Sequence, residues 1–287
     1  MRDSDVNLYD WDRLAGTFGD FVTEPSATGP GRVAREMMGE SYARILTETT
    51  RLIGHQWREH IQDSAVKGFL FHGAVGVGKT TMAKRITYEL ARMFGADREN
   101  AENEVVLVLV DGADIARGRY GDSEERLAEL FEYAREGESH GHRFGSSRGH
   151  RHEGDAMRRT VLLFDDVESL FMTRGASTAR EWHFSQNSVF FHAIDELDTS
   201  HTAVVLTTNR LDLLDEALID RLMPYEFGAP TTDTLLEVAR SFAANQRLGG
   251  AALAAIERRV REDSTLRSIR QVERMVTDAY VRTVIGR

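Results

Sequence analysis

Gly73-Ala74-Val75-Gly76-Val77-Gly78-Lys79-Thr80-Thr81 is the stretch that decides the fold of this chain. It reads G-x-x-x-x-G-K-T. The apolar run Gly68-Phe69-Leu70-Phe71-His72 leads into it as a strand, and the amphipathic run from Met82 to Phe94 leads out as a helix. Strand, loop and helix in that order are the context in which this motif cradles phosphate. Glycines let backbone N–H groups curl around an anion, and the helix that follows aims its positive end at it. Lys79 is placed to reach the β- and γ-phosphates, and Thr80 to put its hydroxyl on Mg²⁺. All nine residues, Gly73 to Thr81, are therefore expected to bind a nucleoside triphosphate.

The chain around the loop alternates between buried strands and helices. Glu104-Val105-Val106-Leu107-Val108-Leu109-Val110-Asp111 is a continuous apolar run, as in a strand covered on both faces. A helix is expected near 122–136. Thr160-Val161-Leu162-Leu163-Phe164 reads as a second buried strand, followed by a helix near 184–197 and the strand 202–209. A short strand near 225–227 ends the series. This order predicts an α/β fold with a parallel sheet in three layers. Beyond Pro230 the pattern is helical only, near 232–246, 250–262 and 268–284, which predicts a small all-helical subdomain. The expected divisions are an N-terminal helical extension (1–60, with a helix from about Arg32 to Ile61), an α/β ATPase subdomain (61–230) and a helical lid (231–287).

Asp165 and Asp166 end the strand Leu162-Leu163-Phe164. A carboxylate at that strand tip sits beside a P-loop, so Asp165 is expected to hold Mg²⁺ and Asp166 to orient the attacking water.

Composition excludes other classes. Among 287 residues there is no cysteine, which removes disulfides and thiolate metal sites and fits a cytoplasmic location. The net charge of −10 argues against nucleic acid or an anionic membrane as the main partner. No apolar run is long enough to span a bilayer. The segment 137–158 mixes glycines and serines with His140, His142, His150 and His152. Without cysteine, and with so many glycines, it reads as a flexible insertion rather than a zinc site.

On these motifs the chain resembles an AAA+ ATPase of the protein-remodelling subgroup. The resemblance implies a P-loop NTPase core with a lid, ATP and Mg²⁺ as cofactors, and a homo-hexamer or other ring. It assigns Asn209, in Thr207-Thr208-Asn209, to sensor 1, which positions the water. It assigns Arg221, in Asp215-Glu216-Ala217-Leu218-Ile219-Asp220-Arg221, to an arginine finger that reaches the γ-phosphate held by a neighbouring subunit. It assigns sensor 2 to Arg267, with Arg270 as the alternate. Arg119 and Tyr120 resemble a pore loop that grips a polypeptide substrate, and 173–183 a second one. Within the subgroup, Leu163-Phe164-Asp165-Asp166-Val167-Glu168-Ser169-Leu170 is similar to the pachytene-checkpoint ATPases, which remodel HORMA-domain proteins. That similarity implies a HORMA-like protein partner.

One departure separates the chain from this pattern. The family carries Asp-Glu at the strand end and uses the Glu as base, whereas here the pair is Asp165-Asp166. The shorter side chain places its carboxylate roughly 1 Å back, and misplacement of that size slows a reaction on the order of 10²-fold. Slow hydrolysis is therefore expected unless the backbone compensates. Glu168 is a second candidate base, although its position suits a structural role better. Two alternative functions remain beside remodelling: a nucleotide-gated scaffold and a helicase-loader type of nucleic-acid ATPase.

Overall fold

The computed structural model of this chain describes residues 7–18, 39–94, 104–111, 115, 122–136, 158–171 and 181–286. Arg119, Tyr120, most of the 137–158 insertion and residues 173–180 of the second expected pore loop lie outside them.

Six strands form one sheet: β1 (Asn7–Tyr9), β2 (Gly68–Gly73), β3 (Val105–Asp111), β4 (Arg159–Asp165), β5 (Thr202–Thr208) and β6 (Met223–Phe227), in the order β1-β3-β4-β5-β2-β6. β2 lies between β5 and β6, and all pairings among β2 to β6 are parallel. The sequence pattern missed β1. It pairs antiparallel with β3, Leu8 opposite Val108, and the sheet is mixed at that edge. A three-residue strand flanked by charge carries too little periodicity to be seen in advance.

The apolar runs divide by alternation, as strands covered on both faces must. Leu70, Val108, Val110, Leu162, Phe164, Val204 and Leu206 point into one core. There they meet α4 (Asp122–Glu136) and α5 (Glu181–Asp195) through Leu127, Phe131, Phe190 and Ile194. Phe69, Phe71, Leu107, Val161, Leu163 and Val205 point into the other. That face is covered by α2 (Gly39–Arg58) and α3 (Lys79–Phe94) through Ile45, Ile53, Trp57, Met82, Ile86 and Leu90. Helix α1 (Trp11–Phe18) adds a small cluster of Leu14 and Phe18 against Tyr88 of α3. Helix α2 stops at Arg58, just before the left-handed backbone of His60.

Two single-turn 3₁₀ helices, Val167–Ser169 and Leu211–Leu213, follow β4 and β5, and a one-turn helix α6 (Glu216–Ile219) precedes β6. Past β6 come α7 (Thr232–Asn245), α8 (Gly250–Glu262) and α9 (Ile269–Ile285). These three bury their own core of Leu235, Val238, Ala239, Ile256, Val260, Val272 and Val276. Two of the three starts carry a side-chain cap. Thr231 caps α7, and Ser268 with Gln271 forms a capping box on α9. The fold is a three-layer P-loop core followed by a helical lid.

Candidate active site

The P-loop takes a shape that only glycine permits. Gly73 has φ +142, and a Cβ there would fall 2.3 Å from the carbonyl oxygen of Phe227 on the neighbouring strand. Gly76 has φ +76, and its missing Cβ leaves room for Arg270 of the lid, whose own Cβ would lie 2.9 Å away. The backbone N–H of Arg270 also reaches the Gly76 carbonyl at 3.3 Å. The start of α9 therefore rests on the loop itself.

Three strand ends deliver side chains to the same cleft. The Lys79 amine, on a residue only 6% exposed, donates to the carbonyls of Gly73 and Ala74 at 2.8 and 2.9 Å and to Oδ1 of Asn209 at 2.7 Å. The Thr80 hydroxyl donates to Oδ1 of Asp165 at 2.8 Å. Thr207 donates to the same oxygen from β5. Just past β5, Nδ2 of Asn209 donates to Asp166 at 2.8 Å and to Glu168 at 3.2 Å. Asn209 thus bridges the P-loop cation and two carboxylates, and its amide orientation is fixed by that set of partners.

Charge and burial oppose each other here. Burial lowers the Lys79 pKa, while Asp166, Glu168 and Asp165 raise it and Arg270 lowers it. Burial raises the Asp166 pKa, and the neighbouring Asp165 and Glu168 carboxylates raise it further. The Asn209 hydrogen bond and Lys79 pull the other way. Asp166 itself sits at φ 53, ψ 52, in the left-handed region. Asp and Asn enter that region more readily than other non-glycine residues, because a short polar side chain can bond locally. The backbone thus supplies a physical reason for Asp where the family pattern has Glu.

The cleft is lined by Val75, Gly76, Gly78, Lys79, Thr80, Thr81, Asp165, Asp166 and Asn209 from the core. Phe242, Ile269, Arg270 and Glu273 close it from the lid. The donor set fits a polyphosphate with a divalent cation: a curled backbone, one ammonium, and a hydroxyl beside a carboxylate, with hard oxygen ligands of the kind Mg²⁺ takes.

Of the residues expected from sequence, those of the P-loop, Asp165, Asp166 and Asn209 are brought together. Arg267 is not. Its guanidinium turns back to the Leu266 carbonyl at 3.1 Å, and Arg270, the second residue of α9, faces the cleft instead. The reason is the capping box. Arg267 precedes the Ser268 cap and lies outside the helix, whereas Arg270 lies within the first turn that packs on Gly76. Arg221 does not line the cleft. Its guanidinium meets both Asp195 oxygens at 3.0 and 3.1 Å and the Ala217 carbonyl at 2.8 Å, and it stacks over Phe191 with 4.8 Å to the ring centroid.

Sequence reasoning offered Glu168 only as a second candidate base and missed the contributors from the lid. Glu168 is tied to Thr208 at 2.8 Å and to Asn209 at 3.2 Å, and it is not among the residues that line the cleft. Glu273 stands at helical spacing from both Arg270 and Ile269, a signal available once the cap at Ser268 is recognised. Phe242 carried none. Among the described residues, no helix is long and apolar enough to cross a membrane.

Comparison with known proteins agrees with this geometry. Residues 69–227 match the model of the ATPase family associated with various cellular activities (AAA). An AAA ATPase forming ring-shaped complexes, from Corynebacterium diphtheriae, is 29% identical over 157 residues, 53% of this chain and 26% of that protein. A proteasome-associated ATPase from Streptomyces scabiei is 26% identical over 157 residues, 53% of this chain and 24% of that one. The chain spans about a quarter of the length of these curated relatives. Among solved structures, a chain of the E. coli MS115-1 HORMA:CdnC:Trip13 complex superimposes with a TM-score of 0.56 at 17% identity, covering 85% of this chain and 90% of that one. At that identity the likeness is one of fold. The family model covers more than half of the sequence and contains both strand-end motifs of the cleft, so the chain belongs to the AAA family of ATPases.

Proposed function

We propose that this chain binds ATP with Mg²⁺, hydrolyses it in a ring of identical subunits, and uses the cycle to remodel a protein partner. The observation that carries the ATP reading is the convergence on one cleft of the Thr80–Asp165 pair and the Lys79–Asn209–Asp166 chain. Bound Mg²⁺ would draw charge from the phosphates. Thr80 and Asp165 would hold it, the loop amides and Lys79 would bind the phosphate oxygens, and Arg270 would approach from the lid. Asp166 would accept a proton from the attacking water, with Asn209 fixing the carboxylate's direction.

Arg221 supports the ring. It lies outside its own cleft and is held rigidly by Asp195, Ala217 and Phe191, so a neighbour's cleft is where it would act. The curated relative described as forming ring-shaped complexes supports the same assembly. A HORMA-like partner is favoured by the Leu163–Leu170 motif and by the fold it shares with a chain of a HORMA-containing complex. The test is ATP turnover with and without a HORMA-domain protein, together with particle size by electron microscopy in ATP. Stimulated turnover by a ring supports the proposal, and a strict monomer at saturating ATP rejects it.

The left-handed Asp166 favours one second reading, a nucleotide-gated assembly that hydrolyses slowly. Rings that persist in ATP with little phosphate release would select it.

A further inference from the structure

Tyr42 lies in the first turn of α2, a helix the sequence assigns only to an N-terminal extension. It is 4% exposed. Its hydroxyl donates to the P-loop carbonyl of Val77 at 2.8 Å. The carbonyl of Gly228 is 3.3 Å from the same hydroxyl. Gly228 follows the last residue of β6 and begins the connection to the lid helix α7. The ring of Tyr42 meets Phe227 edge-on, with centroids 5.3 Å apart. Three residues earlier, Gly39 opens α2 at φ +72, where a Cβ would lie 3.1 Å from Thr234 of α7. One helical turn therefore touches the phosphate loop, the lid connection and the lid.

Peptide planarity gives the Val77 contact its meaning. The carbonyl of Val77 and the N–H of Gly78 belong to one trans peptide and point in opposite directions. Holding the carbonyl from behind aims the Gly78 N–H the other way, and Gly78 lines the cleft. A phenol has one proton and serves one carbonyl at a time. The shorter distance assigns it to Val77, which is buried, while Gly228 is exposed and can turn to water. Burial pushes the Tyr42 pKa up to about 12, so the donor keeps its proton at any physiological pH.

We propose that Tyr42 is a positioning residue for the nucleotide: its hydroxyl holds the Val77–Gly78 peptide in its phosphate-binding orientation. The inference rests on the ATP reading above. The test compares Tyr42→Phe with Thr49→Val in the full chain. Thr49 is a buried hydroxyl on the same helix that bonds only within it, to Ile45 and Leu46, and so reports general loosening of α2. Two quantities are read: the Kd of a fluorescent ATP analogue, and amide exchange in the peptides covering 73–79 and 228–235. Tyr42→Phe is expected to raise the Kd about tenfold, the scale of one lost buried hydrogen bond, and to speed exchange in the 73–79 peptide more than in the 228–235 peptide. Thr49→Val is expected to lower the melting temperature while leaving affinity and loop exchange within twofold of wild type. If loop exchange in Tyr42→Phe is no faster than in Thr49→Val, the assignment is wrong. Exchange needs no nucleotide, so it still decides the role of Tyr42 if wild type fails to bind ATP, an outcome that would overturn the ATP reading instead.

Discussion

Lys79 and Asn209, which come from the P-loop helix and the tip of β5, are joined by a 2.7 Å hydrogen bond. Asn209 turns its other end to Asp166, so the P-loop cation and the carboxylate proposed as base share one orienting side chain. Asn209→Ala removes both contacts without touching the phosphate loop's backbone. Turnover is expected to fall on the order of 10²-fold, while nucleotide affinity shifts by less than about threefold. Steady-state phosphate release and equilibrium binding of a fluorescent nucleotide separate the two effects.

Asp166 predicts opposite changes in rate and stability. Its pKa is raised above 3.8 by burial and by the carboxylates of Asp165 and Glu168. A raised pKa means that the folded chain holds this proton more firmly than the unfolded chain. The ionised group therefore favours folding least once the pH has risen through the raised value. Asp166→Asn should stabilise the protein at neutral pH, and the gain should vanish as pH drops below the ordinary carboxylate value. The same variant should lose ATP turnover. In wild type the rate should fall as acid protonates Asp166, with an acidic limb higher than an unperturbed Asp would give. Asp166→Glu restores the family's residue but places a longer side chain at φ 53, so it should melt below wild type. Thermal melts across pH and a pH–rate profile check these signs.

For Arg221 the prediction concerns assembly. Its pair with Asp195 is partly exposed, so Arg221→Ala should leave the fold within about 1 kcal/mol of wild type. If it completes a neighbour's site, turnover should fall by about 10³-fold or more. Mixing Arg221→Ala with Lys79→Ala subunits should then recover part of the rate, because some interfaces pair a good loop with a good finger. Absence of any recovery across mixing ratios would argue for a role within one chain.

The two lid arginines should behave differently. Arg270 lines the cleft against Gly76, while Arg267 bonds its neighbour's carbonyl outside the helix. Arg270→Ala should raise KM for ATP several-fold. Arg267→Ala should leave KM within about twofold, since it removes only an exposed local contact. A Michaelis curve for each variant decides the assignment.

Most of the core was legible because its signals are local and redundant. The P-loop spacing, three unbroken apolar strands and two strand-end motifs each point to the same sheet. What was not legible depends on distant pairing. Strand β1 is too short to announce itself and exists because β3 leaves an edge for it. The role of Arg270 depends on where the helix cap falls, a difference of three residues that motif matching left open. Glu168 looked peripheral because its bond to Asn209 spans 41 residues. The left-handed turn at Asp166 gave no sign in the sequence, although it explains the one residue that departs from the family pattern.

The two margins of the sheet are poorly suited to adding a further strand. At one side β1 offers only three residues, and at the other β6 carries Pro224, which has no N–H to give. An incoming extended chain needs a run of free backbone donors and acceptors to join a sheet as a new strand. Among the described residues, neither margin supplies such a run. Under the proposed remodelling function, a partner would have to be gripped by side chains and loops, through contacts indifferent to strand register, rather than added to the sheet as a strand.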